Sequence, residues 1–173
     1  TNQQPILIVG GSLSGMACAI RLKQLGYNSI VLEKSKFPRP KLCGEFLAPD
    51  AMIFLKKLNL FDLVEKSAAG KMNECTFYSD NQEISVPMKL LNQEYPFGLA
   101  ITRKVLDNTL LQYGKGIGVD VREESQVLAK IKTNAGRFIL QVRGKPEFEF
   151  ESKFVIDASG RNSSLSFDGL KIN

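Results

Sequence analysis

The apolar positions at the start of the chain form two short runs, in residues 5–9 and 29–32. Hydrophobic residues that do not alternate with polar ones are typical of strands buried on both faces of a parallel sheet. Between the runs, residues 13–25 place apolar side chains around much of a helix, and Gly26 follows as a natural helix terminator. The order of these elements predicts a βαβ unit over residues 5–33.

The stretch after this unit is less regular. Residues 34–49 hold three of the seven prolines, and we interpret them as a structured loop. Apolar residues then fall at helical spacing over residues 51–58, and a second short helical piece is predicted from Leu60.

Strand signals return further along the chain. Residues 73–88 alternate enough to predict strands, and the apolar run at 99–101 predicts another. A helix is expected from Arg103, with Thr102 in front of it as the N-cap.

The last part of the chain reads as β structure. A short strand is predicted at residues 118–122 and a final buried strand at residues 154–156. Between them we predict three successive strands of a meander, at residues 126–132, 137–142 and 147–152, with a turn at 135–136. The whole pattern predicts an α/β fold with a parallel sheet and a β-meander.

Composition narrows the class of protein. The chain has 173 residues, of which 43% are hydrophobic and 24% are charged. These values are typical of one soluble globular domain. The net charge of +5 either favours an anionic ligand or adds only to solubility. Because the sequence has no run of like charges, no nucleic-acid partner is expected. No apolar stretch approaches the roughly 18 residues of a transmembrane helix, and no signal peptide is expected.

Residue types that are rare or missing exclude some chemistry. Histidine is absent, which excludes Ser-His-Asp and Cys-His catalysis and leads us to expect no metal site. The thiols of Cys18, Cys43 and Cys75 are few, odd in number and widely spaced, which indicates a reducing compartment and a cytoplasmic location. Oligomeric state is left open by these residues.

The first predicted strand runs into a glycine-rich turn. Gly10 permits a tight turn, a small residue at Ser12 lets the backbone approach a pyrophosphate, and Gly15 lets the helix lie close to the sheet. The N–H groups of the helix start, at Leu13 and Ser14, face the phosphates in such a unit. This pattern predicts dinucleotide binding, and the alternative is a βαβ unit whose turn is only a turn.

A carboxylate ends the second predicted strand. Glu33 stands where a carboxylate accepts both hydroxyls of an adenosine ribose, and it would repel a 2′-phosphate. The site therefore favours FAD or NAD over NADP. Lys34, which follows directly, is included among the predicted cofactor-binding residues.

Three further stretches carry a family resemblance. Residues 37–45, with the letters FPRPKLCGE, are similar to the PRxKxCG loop of geranylgeranyl reductases and related flavoproteins. Residues 101–107, with Leu110, resemble the Arg-x-x-(Leu/Phe)-Asp-x-x-Leu helix start of these enzymes, and residues 155–163 resemble their DATGxxS strand end. The chain thus resembles FAD-dependent oxidoreductases of the geranylgeranyl reductase and flavoprotein monooxygenase group.

The resemblance implies a glutathione-reductase-type FAD-binding domain over residues 1–173, incomplete on its C-terminal side. It implies a βαβ fingerprint at 5–33, a flavin-side loop at 34–49, part of the substrate-side strands at 73–101 and a crossover meander at 126–152. In the family, a GD-x(n)-P motif follows later in the chain, and it is not among these residues.

The resemblance also implies residue roles. Arg103 would reach the cofactor, Val127 would contact adenine through its backbone, and the strand end would contribute Asp157, Ser159 and Gly160. The usual aspartate of the family's DG pair aligns with Ser159, so this chain follows the variant DASG form.

Roles in the loop are open. Arg39 and Lys41 would bind either cofactor phosphate or a substrate anion, or they belong to a solvated loop. Cys43, followed by Gly44, is either a residue beside the flavin, and then the only candidate for a catalytic role, or a small packing residue.

The implied activity is that of an enzyme. Noncovalently bound FAD would take a hydride from NAD(P)H and then reduce an alkene of a small-molecule or isoprenoid-like substrate, with monooxygenation as the alternative. A lipid substrate would bring peripheral membrane contact. A truncated FAD-fold module without catalysis is the alternative of another class. The absence of tryptophan argues against a halogenase, although that signature would follow the last residue of this chain.

Overall fold

The computed structural model describes residues 4–133, 135–143, 148–160, 163 and 165, without the side chains of residues 132 and 148. The chain divides into two compact units, Thr1–Phe37 with Leu110–Asn173 and Pro38–Thr109. In chain order the elements are β1 (Ile6–Val9), α1 (Leu13–Gln24), β2 (Ser29–Leu32), β3 (Phe46–Leu47), α2 (Pro49–Lys57), α3 (Phe61–Ser67), β4 (Gly70–Met72), β5 (Glu74–Ser79), β6 (Gln82–Pro87), a 3-10 turn (Met88–Leu90), β7 (Gly98–Ala100), α4 (Arg103–Gly116), β8 (Asp120–Arg122), β9 (Gln126–Lys132), β10 (Phe138–Arg143), β11 (Phe148–Ser152) and β12 (Val155–Asp157).

The first unit is built on a parallel sheet. Within the described residues its strand order is β12-β1-β2-β8, and every neighbouring pair runs parallel. Leu7 and Ile8 are fully buried, as an unalternating strand requires. Val9 pairs with Leu32 on one side and Asp157 on the other, so the carboxyl ends of these three strands meet at one edge. The predicted α/β fold with a parallel sheet is confirmed.

Helix α1 ends where its sequence predicted. Gly26 has φ of +84° just beyond the C-cap Leu25, a left-handed conformation that glycine adopts without strain. Its N–H donates to Lys23 O at 3.0 Å, and the Tyr27 N–H donates to Leu22 O at 2.9 Å. These two bonds form a Schellman motif, which satisfies carbonyls that the helix leaves without partners.

The predicted meander is the second sheet of the first unit. Strands β9, β10 and β11 pair antiparallel in sequence order, and the ladder between β9 and β10 shifts register between Gln141 and Val142. Leu140 and Val142 pack with Leu7 and Leu32 in one core cluster, so the meander covers the parallel sheet. The third strand was predicted from residue 147, which lies outside the described residues.

The second unit carries its own small sheet. Strands β3, β7 and β4 form an antiparallel sheet in that order, and β5 with β6 forms a separate hairpin. Strands β5 and β6 lie within residues 73–88, where strands were predicted, and α2 and α3 match the predicted helical pieces. Strands β3 and β4 were not predicted, because two or three residues are too few to show an alternating pattern.

Helix α4 begins at the predicted residue. The Thr102 hydroxyl accepts a hydrogen bond from the Val105 N–H at 3.2 Å, which is the bond of an N-cap. Strand β8 was predicted from residue 118 but begins at Asp120, because Gly118 has φ of +85° and cannot extend the strand.

Candidate functional site

The turn between β1 and α1 leaves no room for side chains at two glycines. Gly10 has φ of +104°, and a Cβ there would lie 2.5 Å from the Ala158 carbonyl oxygen. A Cβ on Gly15 would lie 1.8 Å from the Gly10 carbonyl oxygen. Real Cβ atoms do not approach backbone this closely, so only glycine fits either position. The start of α1 therefore lies directly on the turn that follows β1.

The start of α1 is suited to an anion. Ser12 is the N-cap in an extended conformation, and its carbonyl accepts the Met16 N–H at 2.9 Å. The first turn, residues 13–16, is uncharged, so no carboxylate of its own offsets the partial positive charge of the helix start. Leu13 is half-buried and Ser14 exposed. The turn has no Cβ atom at Gly10 or Gly15, and the helix that follows starts without a charged side chain. This combination fits a pyrophosphate group.

The Glu33 carboxylate lies beside this turn. Its two oxygens accept hydrogen bonds from the Gly11 N–H at 2.7 Å and the Ser35 N–H at 2.9 Å. Only 3% of Glu33 is exposed, and burial of a carboxylate requires partners of this kind. A Cβ on Gly11 would lie 2.9 Å from the Glu33 Cβ, so the carboxylate side chain runs close over the backbone. The structure thus brings Glu33 to the glycine turn, while Lys34 is exposed.

The end of β12 closes the other side of the turn. The Ala158 N–H donates to Val9 O at 2.8 Å, and the Ser159 Cα would lie 3.0 Å from a Cβ on Gly10. Gly160 has φ of +92°, which a residue with a side chain adopts only under strain. The strand end and the glycine turn, predicted from separate stretches of sequence, are therefore in contact.

Asp157 organises this strand end. Its carboxylate accepts hydrogen bonds from the Ser159 N–H at 2.9 Å, from the Ser159 hydroxyl at 2.5 Å and from the Ser163 hydroxyl. Burial raises the pKa of Asp157, but these hydrogen bonds and the nearby charge of Lys130 outweigh it and hold that pKa below its ordinary value. The carboxylate is thus kept charged and fixes the conformation of the DASG segment.

Val127 lies near the same edge. Its side chain is buried in the core cluster of the first unit, which leaves its backbone as the part suited to contact a ligand. Two residues earlier, the Ser125 N–H donates to Glu33 O at 2.8 Å. The start of β9 is therefore tied to the end of β2. Contact with adenine stays a prediction.

The remaining predicted residues lie in the second unit, where Arg103 is held by Asp107. The guanidinium donates two hydrogen bonds to the Asp107 carboxylate, from Nε at 2.8 Å and from Nη2 at 3.0 Å. Asp107 is fully buried. The hydrogen bond to Asp107 raises the pKa of Arg103, burial opposes this rise, and a further hydrogen bond to Cys43 adds to it. The structure thus brings Arg103 and Cys43 together.

The rest of the loop is open to solvent. Lys41, Cys43 and Gly44 are exposed and Arg39 is half-buried. A Cβ on Gly44 would meet nothing within 4 Å, in contrast to the glycines of the first unit. The roles of Arg39, Lys41 and Gly44 stay predictions.

Some residues that make these contacts were not predicted from the sequence. Gly11 and Ser35 contribute only backbone N–H groups, which leave no mark on the choice of residue. Ser163 lies in the strand-end motif at residues 155–163 and Asp107 in the helix motif at residues 101–107, and no cofactor role was predicted for either. The spacing of Arg103 and Asp107, four residues apart on a helix, was a readable signal for their pairing. The two residues before Ser163 in the strand-end motif, at positions 161 and 162, lie outside the described residues.

The described residues contain neither a metal site nor a membrane-spanning helix. Across the residues that the structure describes, no three acidic, cysteine or histidine side chains gather as a metal site would need. Within the same residues, no helix combines the length and the apolar character needed to cross a membrane.

The fold and the turn define an α/β dinucleotide-binding unit. A family model described as an FAD binding domain matches residues 3–168, and the chain belongs to that family. Binding of FAD is therefore the cofactor function of the family.

Curated relatives cover between about half and nearly all of the chain. A squalene epoxidase of Arabidopsis thaliana is 32% identical over 92 residues, covering 53% of this chain and 18% of that protein. A flavin-dependent halogenase of Armillaria mellea is 29% identical over 185 residues, covering 96% and 33%. An FAD-dependent monooxygenase of Penicillium ochrochloron is 30% identical over 111 residues, covering 62% and 26%. This chain spans less than half the length of each of them.

Solved structures show the same fold. The p-nitrophenol 4-monooxygenase of Pseudomonas putida superposes with a TM-score of 0.84 at 18% identity, covering 94% of this chain and 42% of that one. The flavin-dependent halogenase CmlS superposes with a TM-score of 0.79 at 28% identity, covering 92% and 30%. Halogenases stand among the relatives, so the absence of tryptophan from these residues does not separate this chain from them.

Proposed function

We propose that this chain is the FAD-holding part of a flavin-dependent monooxygenase. The observation that carries the proposal is the turn after β1, where two glycines have no room for a Cβ and a buried carboxylate lies alongside. Monooxygenases among the curated relatives support oxygen chemistry over other flavin reactions.

The residues divide the task of holding FAD. The backbone N–H groups from Ser12 to Gly15 would bind the pyrophosphate, and Glu33 would accept the ribose hydroxyls. The strand end at residues 157–160 lies against the turn and would border the same phosphates. Bound FAD would supply hydride acceptance from NAD(P)H and, once reduced, the activation of dioxygen.

In the second unit, Arg103 is oriented by Asp107 and would present a fixed cation to an anionic group. Arg39, Lys41 and Gly44 would contribute to the same kind of contact from the loop. Cys43, hydrogen-bonded to Arg103, would lie beside the flavin. Val127 would contact adenine through its backbone.

Alkene reduction of the geranylgeranyl-reductase type is the second candidate. The loop of residues 37–45 and the contact between Cys43 and Arg103 favour it, because both belong to the stretches that carry that resemblance. In either case we propose noncovalent FAD, NAD(P)H as the reductant, a small-molecule or isoprenoid-like substrate and a cytoplasmic location.

Two measurements test the proposal. The purified protein is titrated with FAD, and binding is followed by quenching of flavin fluorescence and by the flavin absorption bands. Saturable binding with one FAD per chain is expected. FMN should compete poorly because it lacks the adenosine ribose, and NADP should compete poorly because its 2′-phosphate would be repelled by Glu33. A chain that folds but binds none of these ligands contradicts the proposal.

Anaerobic reduction by NAD(P)H in the longest available form of the protein then separates the two candidates. Reoxidation by dioxygen with oxygenated product supports monooxygenation. A reduced flavin that is reoxidised by an isoprenoid alkene supports the reductase. Stable FAD binding without turnover in either assay would instead identify a binding module.

A further inference from the structure

The carboxylate of Glu123 connects three separate parts of the first unit. Its Oε1 accepts the Phe37 N–H at 2.6 Å, and its Oε2 accepts the Lys115 ammonium at 2.6 Å. Glu123 directly follows β8, Phe37 lies five residues beyond β2, and Lys115 lies in the last turn of α4. No role in cofactor binding was predicted for Glu123, because a glutamate after a short strand carries no distinctive signal.

The segment that Glu123 holds also carries the ribose-binding candidate. Residues 33–37, here called the β2 loop, begin with Glu33 and end with Phe37. Within this loop the Ser35 N–H donates to the Glu33 carboxylate at 2.9 Å. Phe37 is buried at the end of the loop, with 8% of its surface exposed. One oxygen of the Glu33 carboxylate is therefore held by this loop, whose far end Glu123 fixes, while the Gly11 N–H holds the other oxygen.

The electrostatics around Glu123 favour its charged form. Burial raises the pKa of Glu123, but the hydrogen bonds from Lys115 and the Phe37 N–H, with the charges of Lys115 and Lys36, outweigh burial and hold that pKa below its ordinary value. A charged acceptor forms a stronger bond to a backbone N–H than a neutral one does. The bond to Phe37 is thus present throughout the neutral pH range.

We propose that Glu123 is a positioning residue of the cofactor site, which fixes the β2 loop through the Phe37 N–H and thereby aims the Glu33 carboxylate. The inference rests on the proposed function, since it assigns Glu33 to the ribose. Glu123 acts through Glu33 rather than on the cofactor. Lys115 neutralises the second oxygen of Glu123 and has a secondary part in the arrangement.

Hydrogen exchange in the cofactor-free protein tests the first half of the proposal. Glu123→Ala should speed exchange of the Ser35 and Phe37 amides at least about tenfold, because the loop loses its acceptor. The matched control is Glu124→Ala, which removes the exposed neighbouring carboxylate. This control should leave these amides within about twofold of wild type. Unchanged exchange in Glu123→Ala overturns the proposal.

A double-mutant cycle on FAD affinity tests the second half. Glu123→Ala should weaken FAD binding about tenfold in the wild-type background and less than about twofold in a Glu33→Gln background. An equal loss in both backgrounds would mean that Glu123 acts independently of Glu33, and it overturns the proposal. A wild-type protein that binds no FAD contradicts the proposed function instead, while the exchange measurement still decides whether Glu123 holds the loop.

Discussion

The turn between β1 and α1 and the loop at residues 38–45 differ in what fixes them. In the turn, backbone atoms crowd the space that side chains would occupy, at Gly10 and Gly15. In the loop, Gly44 has open space around it, and the exposed Cys43 side chain lies near the Arg103 guanidinium. The turn is suited to recognition by backbone N–H groups, and the loop to recognition by side chains. The two regions should therefore respond differently to substitution.

The largest effect is expected at Gly15. Gly15→Ala places a Cβ on the Gly10 carbonyl oxygen, so α1 must move off the turn, and FAD binding should fall by more than about 100-fold, or about 2.7 kcal/mol. Fluorescence titration with FAD measures the loss, and thermal unfolding reports the accompanying destabilisation. Gly116→Ala is the matched control, because a Cβ on Gly116 meets nothing within 4 Å. If Gly15→Ala bound FAD like wild type, recognition by the backbone of the turn would be wrong.

The next effect is expected at the carboxylate beside the turn. Glu33→Gln keeps the shape but replaces one acceptor by an amide NH₂ that faces a backbone N–H, which costs about 1 to 3 kcal/mol for a buried group. FAD affinity should fall correspondingly, about tenfold or more. Glu33→Lys should lower it further. The exposed Glu74→Gln serves as a control, and an equal loss in that variant would point to a general charge effect.

The third effect is expected at the ion pair between Arg103 and Asp107 in the second unit. Arg103→Met leaves the fully buried Asp107 carboxylate without its cation, which should lower the free energy of unfolding by about 3 kcal/mol. Chemical denaturation measures the change. Arg103→Met with Asp107→Leu should recover much of the stability, because no uncompensated charge remains. Restored stability without restored FAD affinity would show that Arg103 also contacts the cofactor.

The smallest effect concerns acid stability at the end of β12. The pKa of Asp157 is lowered in the folded protein, so its contribution is present above the ordinary aspartate pKa of 3.8 and is lost as pH falls through the lower folded pKa. Asp157→Asn should therefore flatten the loss of stability below about pH 4. Unfolding curves across that range measure the slope. An unchanged slope would show that the serine hydrogen bonds do not depend on the charge.

The part of the fold that the sequence predicted is the part with regular hydrophobic pattern. β1, α1 and β2 follow from two apolar runs and a glycine terminator, and the meander follows from three strand-length segments. Strands β3 and β4 were missed, because their pairing with β7 depends on residues distant in the sequence. Long-range pairing of very short strands is set by tertiary packing, which local pattern does not contain.

The site also contains residues that the sequence predicts and residues that it does not. Gly10, Gly15 and Glu33 were predicted from spacing alone, because each performs a task that one residue type does best. The contacts of Ser35 and Glu123 were not predictable, since one acts through its backbone and the other reaches a loop 86 residues away in sequence. Their partners are defined only once the parallel sheet brings the strand ends together.

The contact between Gly15 and the Gly10 carbonyl has a consequence for the gene. Every missense change in codon 15 adds a Cβ, because glycine is the one residue without it. The codon can thus vary only silently as long as the turn is needed. In a library of all single substitutions selected for FAD retention, we expect no tolerated substitution at position 15 and many at position 116.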